Sequence, residues 1–150
     1  MVARKSLKGD YCPSARSLDV IGDWWSLLIV RDAFDGLARF GEFQKSLGIA
    51  KNILTERLRA LVANGILELV SASEGGTRME YRLTAKGKDL FPVMVALRQF
   101  GERHLFAPQE AHSLLVERAT GQAVRLEVRT QSGRPISPDE AVILKVPEGE

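Results

Sequence analysis

Between Lys51 and Ala63 the sequence KNILTERLRALVA sets four side chains that can hold or read a nucleic acid along one side of a helix. Asn52 can pair bidentately with adenine, Arg59 can reach guanine or phosphate, and Thr55 flanks them. Lys51 stands at the helix start, where its charge and the unpaired amide groups both favour a phosphate. The other side is apolar, because Leu54, Leu58 and Leu61 recur at i, i+4 and i+7. Glu56 shares the polar side and would repel phosphate unless it meets a cytosine amino group or pairs with Arg59. Any one of these residues taken alone is better read as a solvated helix position; the set points to DNA.

The flanking segments must present that helix. Phe40 to Gly65 reads as two short helices around the turn 46–50, with Gly48 ending the first and Ile49 packing beneath the second. On the first, Phe40, Phe43 and Leu47 bury while Arg39, Glu42 and Lys45 stay wet, and Arg39 and Gln44 can steady a DNA backbone. Ile66 to Val70 is apolar and β-capable, 73–77 is a turn, and Arg78 to Leu83 alternates Met79, Tyr81 and Leu83 against polar residues. Helix, turn, helix and hairpin in that order predict a winged helix whose second helix suits a major groove. Arg78, beside the glycines of the hairpin tip, is placed for a minor-groove or phosphate contact.

Upstream, residues 1–11 read as a loose basic arm, Ser14 as the cap of a helix ending at Gly22, and Asp23 as the cap of WWSLLIVRDAF, the floor of the core. Trp24, Trp25 and Phe43 read as core aromatics rather than a ligand box. Downstream, Thr84 caps a long helix that Pro92 should kink or break near Lys88. Its stripe of Leu90, Val93, Met94, Leu97, Phe100 and His104 exceeds what one small domain needs and predicts pairing with a second copy. From Pro108 the apolar segments at 112–118, 124–129 and 142–146 are short, strand-like and separated by glycine and proline. The expected fold class is therefore α+β, mostly α: a winged helix-turn-helix domain over 1–106, with a long C-terminal dimerisation helix and a small β-rich appendage over 107–150.

Composition limits the rest. The net charge is only +2, but residues 1–106 carry 16 Lys and Arg against 12 Asp and Glu, whereas 107–150 carry 5 against 7. The basic surplus lies with the winged helix. Cys12 is the single cysteine, so no intrachain disulfide or C-x-x-C pair exists and a reducing interior suits the chain. Just before Pro13 and a helix start, its thiolate can be stabilised for oxidant sensing; the plainer alternative is an inert thiol. No apolar run approaches the ~18 residues of a membrane span and no signal-peptide core is present, so a cytoplasmic protein is expected. His104 and His112 stand apart from any nucleophile or carboxylate cluster, and no phosphate loop or His-Glu metal pattern occurs. An enzyme, a cofactor and a metal are not expected.

These residues resemble the HxlR-type winged helix-turn-helix regulators, close to MarR. The resemblance runs through Cys12-Pro13, Leu18 to Gly22, Trp25, Leu28 to Asp32, Arg39-Phe40, Leu54-Thr55-x-x-Leu58-x-x-Leu61, Gly65-Ile66-Leu67 and Glu80-Tyr81-x-Leu83-Thr84-x-Lys86-Gly87, over about residues 11–106. It implies a homodimer joined through the N-terminal helix, with Leu18, and the long C-terminal helix, which binds a two-fold-related operator and usually represses neighbouring genes. Some relatives are thought to sense oxidants through a cysteine in the region of Cys12. The wing departs from the family in lacking tip prolines. The appendage is similar to one that carries zinc-ribbon cysteines in some relatives, but Thr120, Arg129 and Ser132 stand in their place, so metal binding is not implied. The function expected is sequence-specific DNA binding by a transcriptional regulator, open to an unidentified small-molecule effector. The alternative is a winged helix that docks an acidic protein without specific DNA binding.

Overall fold

The computed structural model describes residues 5–72 and 75–145. Residues 1–4 of the basic arm, Ser73-Glu74 of the expected wing tip, and Val146 of the last strand-like segment lie outside these. The chain divides into two compact units, residues 1–94 and 95–150, and the division falls inside a helix.

The first unit opens with α1 (Pro13–Ile21) and α2 (Trp24–Phe34). Ser14 does not cap α1: the helix begins at Pro13, with Cys12 as its N-cap and no capping side chain. Proline lacks the N–H that a cap would satisfy and has its φ already set for a first helical position, so the helix starts two residues earlier. Nor is all of the arm loose, since Asp19 accepts from the Leu7 N–H at 2.8 Å and from the Ser6 hydroxyl at 3.2 Å. Asp23 caps α2 as expected, accepting from the Ser26 N–H at 2.9 Å. The buried side of α2 is Ser26, Ile29, Val30 and Asp32, an arc that leaves the first position outside it. Trp24 is accordingly 69% exposed, against the expectation of a core aromatic.

Next come α3 (Phe40–Leu47), α4 (Lys51–Ala63), β1 (Leu67–Ser71) and β2 (Met79–Leu83). Gly48 ends α3 in a left-handed conformation at φ 60°, which glycine adopts without a Cβ clash, and its N–H bonds Gln44 O at 2.9 Å. Ile29, Val30, Phe43, Ile49, Leu54, Leu58, Leu61, Ile66 and Leu67 form one core cluster. The strands pair antiparallel, Leu67 opposite Leu83 and Leu69 opposite Tyr81. The Tyr81 N–H reaches out of the hairpin to Ala38 O at 2.7 Å, tying β2 to the turn before α3. The fold of this unit is a winged helix-turn-helix.

Behind the wing, α5 (Ala85–Lys88) and α6 (Phe91–His104) stand where one interrupted helix is expected. The break lies at 89–90, and Pro92 becomes the second residue of α6, where a missing N–H costs no hydrogen bond. Thr84 caps α5 by accepting from the Gly87 N–H at 3.0 Å and donates its own proton to the Gly65 carbonyl.

In the second unit Arg98 on α6 donates to Ser113 O at 2.9 Å and Gln99 to Val124 O at 3.2 Å. Among the described residues the strand-like segments pair only through single bridges, Val116 with Ala123 and Arg129 with Pro135, followed by a 3-10 turn at Pro138–Glu140. Hairpins this short have too few apolar neighbours to complete a sheet: Val142, Ile143 and Leu144 stay 81–90% exposed. Glu140 is held below the usual carboxylate range, chiefly by Arg134, with Ser137 adding hydrogen bonds. No helix among the described residues is long and apolar enough to cross a membrane.

Gly87 gives a direct check on the packing behind the wing. A Cβ there would meet the Ile66 carbonyl oxygen at 2.1 Å, so backbone must move to admit it. Gly87→Ala is expected to lower unfolding stability by about 1–3 kcal/mol, read from the urea midpoint; an unchanged midpoint would contradict this close approach.

Candidate nucleic-acid interface

The orientation of α4 follows from its leucines. Leu54 and Leu58 are fully buried and Leu61 is 1% exposed, which turns Lys51, Asn52, Glu56 and Arg59 outward. At 3.6 residues per turn Asn52, Thr55, Glu56 and Arg59 fall within roughly 100° of one another, and Lys51 adjoins them at the N-terminal end. Among the described residues the Lys51, Asn52 and Arg59 side chains make no hydrogen bond or ion pair, so their donors are open to solvent or a ligand. Ala50 is the N-cap and can offer no capping oxygen, which leaves the first amide groups of α4 facing out as well.

Two neighbours are set differently from expectation. Thr55 spends its hydroxyl proton within the helix, donating to Lys51 O at 2.8 Å, so toward a base it offers a lone pair and a methyl group. Glu56 pairs with Arg57 instead of Arg59, Arg57 Nη1 lying 3.8 Å from its carboxylate, and its side chain stays largely exposed. The Arg57 Nε sits 3.1 Å from Asp23 Oδ2, off the hydrogen-bonding direction, in a charge contact that fastens α4 to the start of α2. Sequence reasoning misses this pair because 34 residues separate partners that only the fold brings together. Its one local signal is the charge of Asp23 at the α2 cap, whose Oδ2 both accepts from the Ser26 N–H and meets Arg57.

Arg39 and Gln44 both belong to α3 but do not share a face. Arg39 is the N-cap, exposed, with its backbone N–H bonded to Glu42 Oε1 at 3.0 Å, and Gln44 is half-buried. Five positions apart, they point about 140° from each other. Arg78 is exposed just before β2; its carbonyl accepts from the Ala72 N–H at 2.9 Å, and its guanidinium has no partner among the described residues. At the far end of α4, Lys86 Nζ donates to Asn64 O at 2.7 Å, a cation on the carbonyl end of the helix.

The residues expected at a dimer interface divide into two groups. Leu90 and Met94 are half-buried against the core. Val93, Leu97, Phe100 and His104 are exposed at spacings of four, three and four along α6, and Phe100 lies against His104 with ring centroids 5.0 Å apart. Leu18 on α1 is 52% exposed, and Cys12 is exposed at the N-cap of the same helix. The exposure of Trp24 has no local signal, because its apolar neighbours on α2 place it with the core. No group of three or more His, Cys, Asp or Glu capable of holding a metal occurs among the described residues.

Comparison with known proteins agrees with this geometry. The model of the HxlR-like helix-turn-helix family matches residues 20–109. An uncharacterized HTH-type transcriptional regulator of Mycobacterium tuberculosis is 45% identical over 94 residues, 63% of this chain; the chain spans 60% of that relative's length. The crystal structure of PA1607, a candidate transcription factor, superposes with a TM-score of 0.87 at 57% identity, covering 93% of this chain and 99% of that one. The redox regulator HypR in its reduced form matches with a TM-score of 0.58 at 33% identity, over 63% of this chain and 94% of its own. With three-fifths of its length under the family model, the chain belongs to the HxlR-like helix-turn-helix family.

Proposed function

We propose that the chain is a transcriptional regulator, most simply a repressor, that binds double-stranded operator DNA as a homodimer in the cytoplasm. The observation that carries this reading is the outward side of α4, where Lys51, Asn52 and Arg59 stand without partners among the described residues, opposite three buried leucines. Asn52 reads adenine, Arg59 reads guanine or clamps phosphate, Lys51 and the uncapped amides hold phosphate, and Arg78 reaches from the wing. Arg39, exposed at the start of α3, steadies the DNA backbone, while Gln44 is half-buried and turned about 140° from it. The family and the regulators named among its relatives support the same reading.

The homodimer rests on α6 and α1. Val93, Leu97, Phe100 and His104 keep an apolar seam in water at a spacing suited to a parallel or antiparallel helix partner, and Leu18 adds a second exposed apolar position. Leu90 and Met94 back the seam from the core side. Residues 107–150 form an appendage to this DNA-binding part. Cys12 gives the dimer an oxidant switch: two Cys12 thiolates, one from each copy, lose two electrons to a peroxide and join as a disulfide while the peroxide is reduced to water. Support comes from the exposed thiol at a helix start and from the likeness to the redox regulator HypR.

Three outcomes check these roles. On a two-fold-related operator, protection of half-sites about 34 Å apart and a steep loss of affinity with salt are expected; weak binding indifferent to sequence would favour the protein-docking alternative. Arg59→Ala should cost about 1–3 kcal/mol and relax preference at one base pair, measured by anisotropy against a library of single substitutions; a uniform loss reassigns Arg59 to phosphate. Peroxide treatment should yield a covalent dimer, separable by dithiothreitol, with altered operator affinity in the native chain and neither change in Cys12→Ser; identical behaviour of the two ends the switch.

A further inference from the structure

A cleft of about 730 Å3 opens within the first unit, between the end of α2, the turn before α3, the wing and the start of α6. That volume is well within the range of small-molecule sites, about 300–1,000 Å3. Three aromatic side chains are among the residues that line it. Phe34 and Phe91 meet with ring centroids 5.7 Å apart and an interplanar angle of 52°, and Tyr81 lines the same space.

The rim carries four charged groups, Glu68, Glu80, Arg82 and Lys88. Glu80 and Arg82 neutralise each other at 3.0 Å. Among the described residues the Glu68 carboxylate and the Lys88 ammonium make no ion pair or side-chain hydrogen bond, so the cleft presents one unpaired charge of each sign beside the aromatic side chains. A ring bearing one anionic and one cationic group complements that arrangement: the anion meets Lys88, the cation meets Glu68, and the ring takes the apolar surface of Phe34, Tyr81 and Phe91.

The cleft also touches what holds the recognition helix. Tyr81 turns its edge to Phe43 of α3 at 6.4 Å, and its N–H is the bond to Ala38 that joins wing to turn. A ligand seated there bears on the spacing between wing and α3, and it shifts DNA affinity by as much as it prefers one spacing over another.

We propose that this cleft is an effector site for a small aromatic zwitterion, of the class of an aromatic amino acid, whose occupancy changes operator affinity. The regulatory half of this proposal rests on the DNA-binding reading above; the ligand half does not. The probes are L-tryptophan, indole-3-propionate, which lacks the amine, and tryptamine, which lacks the carboxylate. Calorimetry on the full chain without DNA should rank L-tryptophan above both analogues by roughly three- to tenfold. Lys88→Ala should erase its advantage over tryptamine, and Glu68→Gln its advantage over indole-3-propionate. Both positions are exposed, so melting temperatures should not move. Equal affinity for all three probes, no binding, or indifference to both substitutions overturns the site. L-tryptophan that binds but leaves operator anisotropy unchanged overturns its effector role, whereas a chain that binds no operator at all sinks the regulator reading and leaves the calorimetric ranking of the three probes to decide the site.

Discussion

The rotation of α4 about its own axis is what every proposed DNA contact depends on, and three leucines set it. Leu54, Leu58 and Leu61 are buried among Ile29, Val30, Phe43, Ile66 and Leu67. Each contributes about 1.5–3 kcal/mol relative to exposure. Turning the helix by one residue would bring Thr55, Arg59 and Val62 inward instead, and burying an unpaired guanidinium costs several kcal/mol on top of the leucines lost. The polar side therefore faces out because the alternative rotation is too costly, and no contact on that side is needed to hold it there.

What the leucines do not fix, the neighbours of α4 do. The Arg57–Asp23 charge contact holds one flank to the α2 cap, and Lys86 closes the C-terminal end on Asn64 O. The wing is joined to the turn before α3 through the backbone bond from Tyr81 to Ala38, with the Tyr81 ring against Phe43 behind it. Aromatic packing and that hydrogen bond make a join that is firm yet local. Such a join can be displaced without unfolding the core, which is the property that a cleft opening beside it would exploit.

The second unit works by different means. Its turns are held by short polar bonds: Thr120 to Glu117 at 2.6 Å, Arg129 to Gly133 O at 2.7 Å, and the Thr130 and Ser132 hydroxyls 3.0 Å apart. Hydroxyl and guanidinium groups thus close these turns. Gly121 and Gly133 supply the positive φ both turns need. Nothing within the described residues of this unit covers Val142, Ile143 and Leu144.

Local chemistry was enough for much of the molecule. The leucine spacing gave the buried side of α4, Gly48 and Thr84 marked helix ends, the alternation from Met79 to Leu83 marked a wing strand, and Pro92 marked the break before α6. Each is decided within a few residues, by side-chain period, by a capping oxygen or by the missing N–H of proline. Relations between distant segments were decided by the tertiary structure alone. It placed Trp24 outside the core, gave Arg57 rather than Arg59 the carboxylates at Glu56 and Asp23, left the strand-like tail with single bridges, and opened the cleft between α2 and the wing. The physical reason is the same in each case: a helical period says which residues share a side, but which side is buried, and against whom a charge rests, depends on segments that meet only after the chain has packed.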